Sequence, residues 1–138
     1  MRRVIAGAAG FVVGGIFLYA GILKALDPAQ FAAGIANYKL LPWPGGAALA
    51  LYLPWLEIVC GAALVIRRAH VAAAAILSVL CALFFIALAS AKVRGLDIAC
   101  GCFGSGSGHL LRSLLFDMAI LSALIFLLAA EMRHRAKN

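Results

Sequence analysis

The chain has 138 residues, 66% of them hydrophobic and 12% charged, and its mean hydropathy is +1.08. A water-soluble domain averages nearer half apolar and about a quarter charged, so an ordinary soluble globule is excluded. The net charge of +7 is not a nucleic-acid signature. Its basic residues cluster at the ends of apolar stretches, where they set orientation in a bilayer. No nucleic-acid partner is expected, and membrane lipid is the medium.

Four apolar stretches, at about 4–26, 46–66, 71–91 and 110–130, each have the roughly 20 residues a helix needs to cross a bilayer. Backbone polar groups in lipid must be satisfied within the segment, which demands helices. The expected fold is all-α, an integral membrane four-helix bundle with up-down-up-down order, a single domain over residues 1–138. Arg2 and Arg3, Arg67 and Arg68, and Arg133, Arg135 and Lys137 then share one side. Positive residues favour the cytoplasm, which places both termini there.

Met1-Arg2-Arg3 resembles the charged start of a signal peptide. The apolar run behind it is longer than the roughly 7–15 residues of a signal core, so a retained first helix is expected. Gly10, Gly14 and Gly21 fall on one stripe of that helix, with Lys24 close to the same azimuth. Small residues at such spacing let helices approach closely. The stripe therefore points Lys24 toward the bundle, against the alternative that it reaches out to the interface. Asp27-Pro28 ends the helix, because proline disfavours helical geometry in the residue before it. The following segment, Phe31 through Asn37-Tyr38 to Pro42-Trp43-Pro44, reads as a short amphipathic piece in the interface with a structural role.

The second long helix carries Glu57, about 16 Å along the axis from its expected start near Gly46. An ionisable group near mid-membrane is costly and faces a partner or a cavity. Lys24, Asp117 or the hydroxyl of Tyr19 are the candidate partners, and a neutral glutamic acid joining two helices is the bland alternative. Pro54, one turn earlier, frees a backbone carbonyl. Cys60 lies one turn beyond Glu57, and Cys81 lies midway along the third helix. Together they are candidate secondary thiols, although buried cysteine more often serves as a small hydrophobe. In the fourth helix Asp117 repeats the pattern of an inward acid. Lys24, Glu57 and Asp117 thus predict a polar pocket opening outward, with Trp55, Glu57 and Tyr19 able to hold a quinone ring and supply protons.

Between the third and fourth helices lies Cys100-Gly101-Cys102-Phe103-Gly104. With both termini inside, this loop faces the periplasm, where disulfides persist. A Cys-Gly-Cys bridge closes a small ring. Strain of that kind makes a disulfide more readily reduced, which suits an exchanger. Lys92, Arg94 and Arg112 favour the thiolate, the attacking form, while Asp97 opposes it locally and His109 offers a proton route. A passive staple is one alternative. Copper(I) capture is another, although zinc normally wants four protein ligands and only His109 and Asp97 stand nearby. For an exchanger in a bacterial inner membrane the expected electron acceptor is a quinone.

Leu23-Lys24-x-x-Asp27, Leu56-Glu57-x-x-x-Gly61 and Gly95-Leu96-Asp97-Ile98-x-Cys100-Gly101-Cys102-Phe103-Gly104 resemble the MauE family of methylamine utilisation membrane proteins, placed among DoxX-like proteins. The likeness spans nearly the whole chain, and the Cys-Gly-Cys-Phe-Gly block is its most specific part. It implies a four-helix membrane bundle that helps to mature exported enzymes, notably the disulfide-rich small subunit of methylamine dehydrogenase. It also implies a thioredoxin-like periplasmic partner or an exported disulfide-containing client. Carried onto this sequence, the redox role falls on Cys100 and Cys102, with Lys24, Glu57 and Asp117 as polar support. Cys60 and Cys81 match no family pattern. The second external cysteine pair of vitamin K epoxide reductase-like enzymes is missing, which leaves a separate protein to supply it. A non-catalytic assembly factor, or a DoxX-type subunit of a sulfur-compound:quinone oxidoreductase, shares the pocket without needing the dithiol.

Overall fold

The computed structural model describes residues 1–95 and 110–137. Its helices are α1 (Arg2–Leu26), α2 (Pro28–Asn37), α3 (Trp43–Ile66), α4 (His70–Val93) and α5 (Leu110–Arg135). All but α2 are long and apolar enough to cross a membrane, and no strand occurs among the described residues. The chain is an all-helical membrane protein. All four spans exceed their expected bounds by a few residues, and in two the local reason is plain. In α3, Pro42 caps the N-terminus and Pro44 sits in the first turn, where a missing N–H costs nothing. In α5, Arg133, His134 and Arg135 occupy the last turn, where positive charge suits the helix dipole.

The interfacial piece expected after the first span is a helix of 10 residues, α2. Asp27 explains both neighbours. It ends α1, and its side chain accepts a 3.0 Å hydrogen bond from the Gln30 amide, capping α2 with Pro28 at the first position. This helix does not merely lie at the surface. Phe31 and Ala32 are buried with Ala50 of α3, and Phe84 of α4 packs against them.

Glycine fixes the α1–α3 seam. A Cβ on Gly14 would stand 2.7 Å from the Gly61 carbonyl oxygen, and one on Gly61 would stand 2.8 Å from the Gly14 oxygen. Gly21 is equally confined, 2.9 Å from the Pro54 oxygen. Lipid gives helices no hydrophobic reason to associate, so such close backbone packing is what holds them. Gly10 lies on the same stripe but looks toward Leu127 of α5 with room to spare.

Val13, Phe17, Cys60, Leu64, Leu77, Cys81 and Leu124 form the main core, contributed by all four spans. Leu77 and Leu124 are wholly buried. At one end of this core the start of α1, the end of α3, the start of α4 and the end of α5 surround a common cleft. At the other, Tyr38 from the end of α2 packs with Leu88 and Ala91 of α4 and Leu114 of α5.

Candidate functional site

The dithiol segment, Cys100 and Cys102 with Asp97 and His109, lies outside the described residues. What the structure supplies is its mounting. Arg94, one residue beyond α4, donates a 2.5 Å hydrogen bond to the Tyr38 carbonyl and reaches the Ser90 carbonyl at 3.4 Å. Tyr38 in turn packs on Leu88, Ala91 and Leu114. The departure from α4 and the first turns of α5 are therefore both tied to the end of α2. Arg94, expected to favour a thiolate, has its guanidinium engaged by this carbonyl. Lys92 stands on the last turn of α4, and Arg112 is exposed on α5.

Beneath this mounting lies a buried ion pair. The Lys24 ammonium donates to both oxygens of Glu57, at 2.8 and 2.9 Å. Lys24 is 5% exposed and Glu57 2%. Of the partners expected for Glu57, the structure selects Lys24, and it settles Lys24 as an inward residue. The charge is further enclosed by aromatic faces. The ammonium lies 5.1 Å from the centre of the Phe31 ring and 5.3 Å from that of Phe84, both within the range where a cation is attracted to a ring. An isolated charge in this medium costs several kcal/mol. Opposite charge, two hydrogen bonds and two ring faces offset that cost together, and α2 closes over the pair.

The second polar contact joins α4 and α5. The Cys81 thiol of α4 faces the Asp117 carboxyl of α5, and both Glu57 and Lys24 lie within electrostatic reach of Cys81. Lys24, Glu57, Cys81 and Asp117 thus place one polar group from each spanning helix in the same interior neighbourhood. Cys60 and Cys81 are both buried free thiols of the same core cluster. Cys60 sits among apolar neighbours, as a small hydrophobe would.

Tyr19 and Trp55, expected beside Glu57 in a ring-binding pocket, are not brought together with it. They are 60% and 63% exposed, on the outer surface of the bundle. The helical period explains this. Trp55 is two residues from Glu57 and so lies on another face of α3, and Tyr19 is five from Lys24. The residues named for a quinone do not form an enclosed site. Sequence reasoning missed α2 as a lid, with Phe31 and Phe84 as its ring faces, and it missed Tyr38 as the anchor of the dithiol stems. Asp27-Pro28-x-Gln30 carried the signal for α2, an N-cap followed by proline at the first helical position.

Against known proteins, the model of the methylamine utilisation protein MauE family matches residues 1–130. A methylamine utilization protein MauE from Methylophilus methylotrophus is 36% identical over 118 residues, covering 80% of this chain and 62% of that protein. A protein of the same name from Paracoccus denitrificans is 33% identical over 92 residues, covering 66% of this chain and 50% of its own length. The chain thus spans between half and two thirds of the length of these curated relatives. No solved structure matches. A match running over almost the entire chain and all four spans shows that this membrane protein belongs to the MauE family.

Proposed function

We propose that the chain is a membrane thiol–disulfide exchange protein that supports oxidative maturation of an exported enzyme in methylamine utilisation. The relatives' printed names supply the physiological context, and Cys100 and Cys102 supply the chemistry. The observation that carries the reading is the Arg94–Tyr38 tie. It ties the α4 end that leads into the Cys-Gly-Cys segment to α2, the same helix whose Phe31 covers the Lys24 ammonium. An anchored stem at the end of α4 suits an exchanger. A mere spacer loop needs no such anchor.

In this reading the four spans alternate in direction, both termini are cytoplasmic and the dithiol faces the periplasm of a bacterial inner membrane. A thiolate of the partner, a thioredoxin-like protein or a disulfide-containing client, attacks one sulfur of the Cys100–Cys102 disulfide. The S–S bond breaks, a mixed disulfide forms, and the freed cysteine leaves as thiolate. The partner's second thiolate then attacks its own sulfur in the mixed disulfide. It departs as a disulfide, two electrons poorer, and leaves Cys100 and Cys102 reduced. Reoxidation falls to a two-electron acceptor, and a lipid-soluble quinone is the class a bilayer supplies. Because Tyr19, Trp55 and Glu57 do not enclose a ring site, no step is assigned to these residues. The Lys24–Glu57 pair and Asp117 serve as internal support for the frame.

The test is partner oxidation by the full chain in membranes. Cys100→Ser and Cys102→Ser are each expected to abolish it, with membrane insertion and the four-span fold unchanged. Oxidation that persists in both variants contradicts the proposal, leaving a non-catalytic assembly factor or a DoxX-type quinone-linked subunit. Stoichiometric copper lost in either variant would instead assign the pair to metal handling.

A further inference from the structure

The end of the bundle away from the dithiol stems holds a small, open-mouthed cleft shared by all four spans. Its walls are apolar, from Leu64, Val71 and Leu127, and Gly10 leaves space that a larger residue would occupy. Its mouth is charged. Arg67 and His70 stand there with Glu131. Arg67 caps α3 in the left-handed conformation, with φ 61°. Its guanidinium lies so close over Gly7 that a Cβ there would stand 2.6 Å from a guanidinium nitrogen. The left-handed cap and the missing side chain at Gly7 together set a cation at the rim of an apolar slot.

The surroundings strengthen the positive field. Arg3 donates to the ring of His134 where the start of α1 meets the end of α5, and Arg68, Arg133, Arg135 and Lys137 belong to the same end. Among the described residues Glu131 is the one carboxylate lining the cleft, and it faces His70 Nε2 at 3.4 Å. An apolar slot with a cationic rim fits an amphiphile that carries an anionic head. Basic pockets between spanning helices recognise anionic lipid headgroups in this way.

We propose that this cleft binds an anionic phospholipid, its phosphate at Arg67 and one acyl chain along Val71 and Leu127. A quinone exchanging electrons with the dithiol fits less well. The length of α4, from His70 to Val93, separates the cleft from the dithiol stems, a distance of about 35 Å at 1.5 Å per residue.

The experiment uses the full chain in detergent, exchanged into micelles doped with phosphatidylglycerol or with phosphatidylcholine, and reads retained lipid by native mass spectrometry. Phosphatidylglycerol is expected to be retained and phosphatidylcholine stripped. Arg67→Gln, an exposed position, is expected to weaken retention roughly fivefold, the effect of one basic residue at an anionic surface. Arg67→Lys is expected to restore most of it, and Arg68→Gln, outside the cleft lining, to weaken it less than Arg67→Gln does. Gly10→Leu fills the slot and is expected to abolish retention while circular dichroism stays helical. Equal retention of both lipids overturns the proposal, as does retention unaffected by Arg67→Gln. Displacement of the lipid by millimolar inorganic phosphate also overturns it, since the rim would then be a phosphate site with no use for the slot.

Discussion

The two ends of this bundle handle charge in opposite ways. Beneath the dithiol stems a lysine and a glutamate neutralise one another, two phenyl rings cover the ammonium, and α2 closes the site. At the far end Arg67, His70 and Glu131 ring a cleft that remains open. The first arrangement spends its polar groups on fixing helices to one another, and the second leaves the Arg67 guanidinium available to something outside the chain. Burial depth makes the difference, since a charge deep in lipid must find its partner within the protein, whereas a rim charge has water and headgroups.

The comparison breaks most readily at the sealed end. Lys24→Ala or Glu57→Ala alone strands a buried charge, and each is expected to cost about 3–5 kcal/mol in reversible unfolding in mixed micelles. The combined Lys24→Met, Glu57→Leu variant should recover most of that loss. Single variants no worse than the double would show that the pair does not act as one unit. Next in size is the glycine seam. Gly61→Val pushes a side chain into the Gly14 backbone and is expected to cost about 1–3 kcal/mol in the same assay. Gly15, with nothing near its notional Cβ, should accept alanine without loss, and a comparable loss there would remove the seam from the account. Phe31→Leu keeps bulk but takes one ring from the ammonium, a change of about 0.5–2 kcal/mol. Asp117→Leu removes the contact with Cys81 and should cost near 0.6 kcal/mol, the average for a polar contact between membrane helices. At the open end Glu131→Gln is expected to move unfolding by no more than about 0.5 kcal/mol.

The spans were plain in the sequence, because lipid imposes a length and a composition that few other contexts require. Lys24 and Glu57 stood out for the same reason, as ionisable groups in apolar helices. The glycine stripe pointed Lys24 inward but left outward snorkelling open, and the ion pair decides it. Pairing was harder. Tyr19 and Asp117 were as eligible as Lys24, and only the tight α1–α3 approach at Gly14 and Gly21 decides which group reaches Glu57. The lid was hidden because Phe31 and Ala32 look like any interfacial apolar residues until Ala50 and Phe84 cover them. The cleft was hidden because Arg67 and His70 read as orientation signals at a short turn. Nothing in their spacing shows that Glu131, some 60 residues away, completes the rim. Trp55 and Tyr19 drew attention by chemistry, and helical phase then put them outside.

The account stands or falls on the redox state of Cys100 and Cys102. In intact cells, trapping with a membrane-impermeant maleimide followed by gel shift reads that state directly. Buried Cys60 and Cys81 remain unlabelled until denaturation and so serve as an internal reference. The account predicts a mixture of reduced and oxidised dithiol that shifts toward reduced when respiratory quinone is depleted. A pair that stays wholly in one state under both conditions, or that reacts only from the cytoplasmic side, would contradict it.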